Sequence, residues 1–296
     1  MTDHREIDRI VTAALDEDAP WGDLTSETLI PEDATATAEL VAREPGVLSG
    51  IDVFAAAFRL VDPRIVVEAL AADGDPFDVG AVLARVHGPA RGILTAERVG
   101  LNLVQRMSGV AALTARYVAA VAGSGARIVD TRKTTPGLRS LERQAVRDGG
   151  GRNHRRSLSD AIMAKDNHLA VLTAGGRDLA TALREARERM PHTAHLEVEV
   201  DRLDQLDAVL AGGADTIMLD NFSLDDLRTG VQGIAGRAVV EASGGVSLDT
   251  VAAIAATGVD VISVGALTHS ARALDLGLDV VISAGSDAPV APGAAP

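Results

Sequence analysis

The chain contains no cysteine. Disulfides, zinc–thiolate sites, iron–sulfur clusters and cysteine nucleophiles are thereby excluded. Aromatic residues make up only 2% of its 296 residues, too few for the stacking platforms that hold single-stranded nucleic acid. No apolar run approaches the roughly 18–20 residues of a membrane span. The opening residues show no basic stretch followed by an apolar one, so no signal peptide is expected. Positive charge is in deficit: 28 Lys and Arg stand against 42 Asp and Glu, for a net charge of −14. That balance argues against a nucleic-acid or anionic-membrane partner, and a cytoplasmic address is the expectation. No Walker A loop, dinucleotide glycine fingerprint, His-Glu-x-x-His helix or Gly-x-Ser-x-Gly elbow is present.

Lysine is nearly absent as well. Of the 28 basic residues only Lys133 and Lys165 are lysine, and only four asparagines occur: Asn102, Asn153, Asn167 and Asn221. Both lysines and two of those asparagines fall in three short segments, residues 130–137, 149–155 and 165–168. A lysine kept against an arginine-rich bias points to a site that needs a compact ammonium; chance survival is the other reading. Residues 127–156 carry nine basic and three acidic side chains, a local excess of six in an acidic chain. A solvated face is the usual meaning of such a run. Here glycine, proline and threonine interrupt it, as in a loop that receives a small polyanion.

The chain begins with apolar residues at helical spacing, Ile7, Ile10, Val11 and Leu15, followed by an acidic loop around Trp21. Strand-like stretches at 36–42 and 64–68 flank a helix at 53–60, and a long helix is expected over 93–122, broken or kinked at Gly109. From residue 126 onward short β-branched runs alternate with Ala/Leu-rich helical ones, the pattern of βαβ units around a parallel sheet. The strands lead into Thr131-Arg-Lys133, Lys165, Glu199, Asp220-Asn221, Ser243-Gly-Gly245 and Gly265-Ala266. Polar groups at nearly every strand end favour a barrel, one that need not have all eight strands, over an open sheet with one switch point.

Glu199 and Asp220, at the ends of adjacent strands, could hold Mg²⁺, which leans on one or two carboxylates plus substrate phosphates. A salt bridge to the basic loop is the alternative. Ser243-Gly-Gly245 and Gly265-Ala266 let backbone N–H groups approach a phosphate. Arg132, Lys133, His154, Arg155, Lys165 and His168 supply a cationic excess that calls for a second anion.

Together these segments closely resemble quinolinate phosphoribosyltransferases. The resemblance rests on Glu97-Arg-Val-Gly-Leu-Asn-Leu-Val-Gln-Arg-Met-Ser-Gly109, Asp130-Thr-Arg-Lys-Thr-Thr-Pro-Gly-Leu-Arg139, Gly149-Gly-Gly-Arg-Asn-His-Arg155, Lys165-Asp-Asn-His168, Leu196-Glu-Val-Glu199, Met218-Leu-Asp-Asn-Phe222, Glu241-Ala-Ser-Gly-Gly245 and Val261-Ile-Ser-Val-Gly-Ala-Leu-Thr-His269. It implies an α/β fold: an incomplete, TIM-like α/β barrel over 111–267 behind an N-terminal α/β sandwich domain over 1–110, which the segment 268–284 rejoins. The Ala/Pro/Ser/Gly-rich stretch 285–296 is expected to be disordered. The implied reaction joins quinolinate to phosphoribosyl pyrophosphate with Mg²⁺, giving nicotinate mononucleotide, pyrophosphate and CO₂ in de novo NAD synthesis. By resemblance Arg132, His154, Arg155 and Lys165 hold the quinolinate carboxylates, and Arg98 reaches in from the other subunit of a homodimer, itself open to higher assembly. Lys133, Glu199 and Asp220 serve catalysis and the phosphoribosyl pyrophosphate, the two carboxylates as Mg²⁺ ligands. Thr131, Ser243, Gly244, Gly245, Gly265, Ala266 and Leu267 complete the substrate-binding set. Arg152 and Ala164 depart from the residues usual in the family without removing a charged group.

Other readings remain on the sequence alone. One is a relative acting on a different aromatic acid or tied to molybdenum metabolism. Another is a Schiff-base aldolase using Lys165, and a third a non-catalytic phosphosugar sensor.

Overall fold

A computed structural model describes residues 3–283; the expected disordered stretch 285–296 lies outside them. The chain divides into two compact units, the first formed by residues up to Gly109 together with the segment from Arg272, the second by Val110–Ala271.

The first unit is built on a four-stranded antiparallel sheet of β1 (Thr35–Ala42), β3 (Val66–Ala69), β5 (Val82–Pro89) and β12 (Leu276–Ser283), in the order β12-β1-β5-β3. A small ribbon pairs β2 (Gly46–Val47) with β4 (Pro76–Phe77). Period-2 alternation sends Ala36, Ala38 and Leu40 of β1 inward. On its outer face Glu39 meets Arg85 across the strand pair at 3.0 Å. Helix Ile51–Val61 buries Phe54 and Phe58, whose rings meet edge-to-face with centroids 4.8 Å apart.

Helix Ala90–Ala120 runs unbroken through Gly109, against the expected break. The glycine is there for close approach instead: a Cβ at this position would lie 1.9 Å from the Arg272 carbonyl oxygen. Backbone cannot step aside as a flexible side chain can. Gly109→Ala is therefore expected to destabilise the protein by about 3 kcal/mol or more, read as a lower denaturation midpoint with an unchanged m-value. An unchanged midpoint would show that the Arg272 backbone gives way at no cost.

The second unit contains six parallel strands: β6 (Arg127–Val129), β7 (Ile162–Ala164), β8 (Leu196–Val200), β9 (Thr216–Asp220), β10 (Val239–Ser243) and β11 (Val261–Ser263). Their order is β6-β11-β10-β9-β8-β7. The first strand thus pairs with the last, as in a barrel, while β6 and β7 are not paired, so the barrel is incomplete. Arg152 lies along the free edge of β6 as a single parallel bridge to Val129, donating its N–H to Ile128 O at 2.8 Å. Its side chain is exposed, which is why an arginine is tolerated there. The strands β8, β9 and β10 are largely buried on both faces, as parallel strands covered by helices must be. No helix among the described residues is long and apolar enough to cross a membrane.

Candidate active site

A cavity of about 630 Å³ opens at the carboxyl ends of the parallel strands. Its walls include Thr131, Arg132 and Lys133 after β6, His154 and Arg155, Lys165 after β7, Glu199 of β8, Asp220 of β9, and Ser243, Gly244 and Gly245 at the end of β10. The carboxyl ends of parallel strands are where barrel sites assemble, because each strand delivers its next residues to the same face. Met163, Met218, Asn221, Glu241 and Ser263 also line it. All but Met163 fall within the motifs that carry the resemblance, yet none of them is assigned a role there. Glu241 and Ser263 sit within apolar strand runs and read as core.

The long basic run does not act as one loop. Residues Arg139–Asp148 form a helix, and its arginines hold structure. Arg143 donates to Asp130 at 3.3 Å and to His154 O at 2.7 Å. Arg147 donates to Asn153 Oδ1 at 2.6 Å, and Arg139 to Thr134 Oγ1 at 3.0 Å. Asp130, fully buried at the end of β6, gathers this network: it also accepts from Asn153 Nδ2 and from the His154 N–H, each at 2.7 Å. Burial pushes its carboxyl above the usual range against these donors. Arg132, Lys133 and Arg155 are the members of the run that reach the cavity.

Neither Arg132 nor Lys133 has an ion-pair partner among the described residues, and the buried Nε of Arg132 has no acceptor. Burial, and then the neighbouring Arg132 guanidinium, pull Arg155 below the usual arginine range. Arg155 spends one nitrogen on Ala161 O at 3.2 Å and another on Met163 Sδ at 3.4 Å. Two guanidiniums that face one cavity with no ion pair to a carboxylate among the described residues suit an anion. Lys165 differs: its ammonium is ion-paired with Glu199. His168, counted among the cations, does not line the cavity; its Nδ1 accepts the Lys165 N–H at 3.0 Å.

Asp220 is oriented by its neighbour, Asn221 Nδ2 donating to Asp220 Oδ2 at 2.7 Å. Asn221 adopts a left-handed φ of 60° and donates its own N–H to Ser243 O at 2.9 Å. Gly244, at φ 90°, faces it closely, and a Cβ there would sit 2.1 Å from Asn221 Oδ1. The glycine turn after β10 thus locks the residue that aims Asp220.

Gly265, Ala266 and Leu267 are not among the lining residues. Leu267 is fully buried, and a Cβ on Gly265 would lie 3.2 Å from Lys133 Cδ, so this turn passes beneath the lysine. Arg98 belongs to the first unit. It is exposed and lines a separate cavity of about 280 Å³ with Asp18, Gly22, Asp23 and Thr95. Asp23 caps helix Leu24–Leu29 through the Thr25 and Ser26 N–H groups and accepts from Thr95 Oγ1 at 3.3 Å.

Beneath the cavity, His154 Nε2 lies 3.1 Å from Glu197 Oε2 and 3.4 Å from Glu241 Oε2. Both glutamates are buried, and the other carboxylate oxygen of each has no partner. Burial disfavours the imidazolium, but hydrogen bonds to the two glutamates and then their charge outweigh it and push His154 up to about 10. Against that, Nδ1 accepts the Arg155 N–H at 2.7 Å, and the space between those two nitrogens has room for one proton. We read the ring as an Nε2–H donor on that geometric ground.

An incomplete parallel barrel carrying clustered cations, two strand-end carboxylates and a glycine turn defines a barrel enzyme for a polyanionic substrate. The chain belongs to the quinolinate phosphoribosyltransferase family: the family models for its N-terminal and C-terminal domains match residues 23–108 and 110–279. It is 45% identical over 279 residues to the nicotinate-nucleotide pyrophosphorylase [carboxylating] of Mycobacterium leprae, covering 91% of this chain and 95% of that one. It is 41% identical over 280 residues to the probable nicotinate-nucleotide pyrophosphorylase [carboxylating] of Bacillus subtilis, covering 95% of each. The solved structure of NadC from Streptococcus pyogenes superposes with a TM-score of 0.90 at 38% identity, covering 96% of this chain and 99% of that one.

Proposed function

We propose that the 630 Å³ cavity is where this enzyme performs its family's reaction, phosphoribosyl transfer from phosphoribosyl pyrophosphate to quinolinate with loss of CO₂. The observation that carries the reading is the cluster of Arg132, Lys133, Arg155 and Lys165 on one wall set, with Arg132 and Lys133 lacking a counter-ion among the described residues. A dianion with two carboxylates fits paired arginines, whose forked donors match carboxylate geometry. Lys165, held by Glu199, links the quinolinate-binding cations to the carboxylates that serve the phosphoribosyl pyrophosphate.

Glu199 and Asp220 supply only oxygen donors and face the cavity, which suits Mg²⁺ shared with substrate phosphates. The ion, when bound, neutralises charge on the departing pyrophosphate. Lys133 adds a fixed positive charge for the same group, and the Ser243-Gly244-Gly245 turn offers backbone to the 5′-phosphate. The quinolinate ring nitrogen attacks C1 of the ribose without help from a general base. The C2–carboxylate bond then breaks to release CO₂, the electron pair stays at C2 beside the quaternised nitrogen, and a proton from water takes the place of the lost carboxylate.

Arg98 completes this site from a second copy of the chain. Its exposure without an ion-pair partner among the described residues, and the exposed apolar side chain of Leu24 on the same cavity, support a face that a partner covers. The first unit then serves assembly and the second catalysis.

Product analysis tests the reading. Protein, Mg²⁺, quinolinate and phosphoribosyl pyrophosphate should yield nicotinate mononucleotide, and chelation of the metal should stop the reaction. Nicotinate, one carboxylate short, should be used about ten- to a hundred-fold less efficiently, the worth of one charge-assisted contact. Equal efficiency with the two acids would sink the dianion argument.

A further inference from the structure

We propose that His154 is a positioning residue rather than a quinolinate ligand: with Glu197 and Glu241 it pegs the Arg155 backbone to the barrel floor, and Arg155 meets the substrate. The inference rests on the quinolinate-binding role proposed above. Every polar atom of His154 already has a protein partner. Its main-chain N–H donates to Asp130 Oδ1 at 2.7 Å, and its carbonyl accepts from Arg143 Nη1 at 2.7 Å. Its Nε2 faces Glu197 and Glu241, and its Nδ1 accepts the Arg155 N–H at 2.7 Å. What the ring can turn toward a ligand is carbon. Arg155, one residue on, has a guanidinium with five N–H donors and no carboxylate partner.

The glutamates explain why the peg is firm. Glu197 and Glu241 are 3% and 2% exposed, and their nearest shared donor is the His154 ring. Two buried carboxylates repel each other and have lost water, so both pull on any donor placed between them. That donor is the ring whose other nitrogen receives the Arg155 amide. A single side chain therefore transmits the rigidity of β8 and β10 to the first residue of the loop that carries the guanidinium.

The test uses His154→Ala and His154→Gln, each alone and combined with Arg155→Ala, in the full-length protein. The glutamine amide still donates to the buried glutamates and carries no charge. Quinolinate affinity should fall about ten- to a hundred-fold in His154→Ala, close to the loss in Arg155→Ala. The double variant should be no weaker than Arg155→Ala alone, within about twofold, because the two residues act as one unit. His154→Gln should recover most of the affinity, and KM for phosphoribosyl pyrophosphate should stay unchanged throughout. Additive losses, or a glutamine variant as weak as alanine, would mean that the imidazole binds substrate itself and would overturn the proposal. Should His154→Ala fail to fold with two glutamates left unpaired, it is made together with Glu197→Gln and Glu241→Gln and compared with that double variant. Hydrogen exchange of the Arg155 amide, measured without substrate, separates this proposal from the functional reading. Exchange should be slow in the wild type, fast in His154→Ala, and slow again in His154→Gln, whose amide oxygen can accept the Arg155 N–H. Equally fast exchange in wild type and variant refutes the peg whatever the substrate proves to be, and a wild type that binds no quinolinate refutes the functional reading.

Discussion

Replacing Lys133 with alanine is expected to lower kcat by about two to three orders of magnitude, the loss typical of removing one fixed donor from developing negative charge. Quinolinate affinity should stay within about twofold, since Lys133 and the quinolinate arginines act on different groups. The expectation follows from how the lysine is held. It stands three residues past the buried Asp130 that follows β6, its N–H donates to Thr131 Oγ1 at 3.1 Å, and its carbonyl accepts from Thr268 Oγ1 at 2.8 Å. The backbone is fixed on both sides, and the side chain passes over the Gly265 turn, where a Cβ would lie 3.2 Å from Lys133 Cδ. A charge placed in advance costs no reorganisation when pyrophosphate departs. Arg155→Ala should show the opposite signature, with quinolinate binding weakened and phosphoribosyl pyrophosphate binding kept. Steady-state kinetics with equilibrium titration of each substrate distinguishes them. A Lys133 variant with normal kcat and weakened quinolinate binding would reassign the lysine to the quinolinate pocket.

Two inactive variants should restore each other. Arg98→Ala and Lys165→Ala are each expected to be nearly inactive, the first because it removes a cation lent to the partner, the second because it removes one from its own cavity and frees Glu199 from its ion pair. In a mixed dimer the Arg98→Ala chain keeps its own Lys165 and borrows Arg98 from its partner. One site is then whole and the other lacks both groups. Random exchange makes half the dimers mixed, so activity should return to about a quarter of wild type. The measurement is activity after subunit exchange, with mixing verified by mass. Verified exchange without recovery would show that Arg98 acts within its own chain or has no part in the site.

Much of the site was legible because its chemistry is carried by rare residues at strand ends. Lys133, Lys165, Glu199 and Asp220 were singled out by type and place, and all four line one cavity. The roles of the charges were less legible. A run of nine basic residues looks like one ligand loop, yet the intervening helix turns Arg139, Arg143 and Arg147 to oxygen acceptors of the protein itself. Sequence spacing does not show which arginines find internal acceptors, since those acceptors come from residues up to seventeen positions away. Gly109 misled for a related reason. Its meaning lies in the Arg272 carbonyl, which is remote along the chain and close in space.

The sequence by itself determined the parallel-strand architecture, through alternating β-branched and Ala/Leu-rich runs, and the family, through its ordered motifs. Periodicity and motif are local, so they survive without coordinates. Only the tertiary structure decided that the barrel stays open between β6 and β7, that Lys165 pairs with Glu199, and that His154 is engaged at both ring nitrogens. Each depends on which strands become neighbours. Glu197 and Glu241 come to share one imidazole only because β8 and β10 flank β9 in the sheet, a pairing that no spacing along the chain encodes.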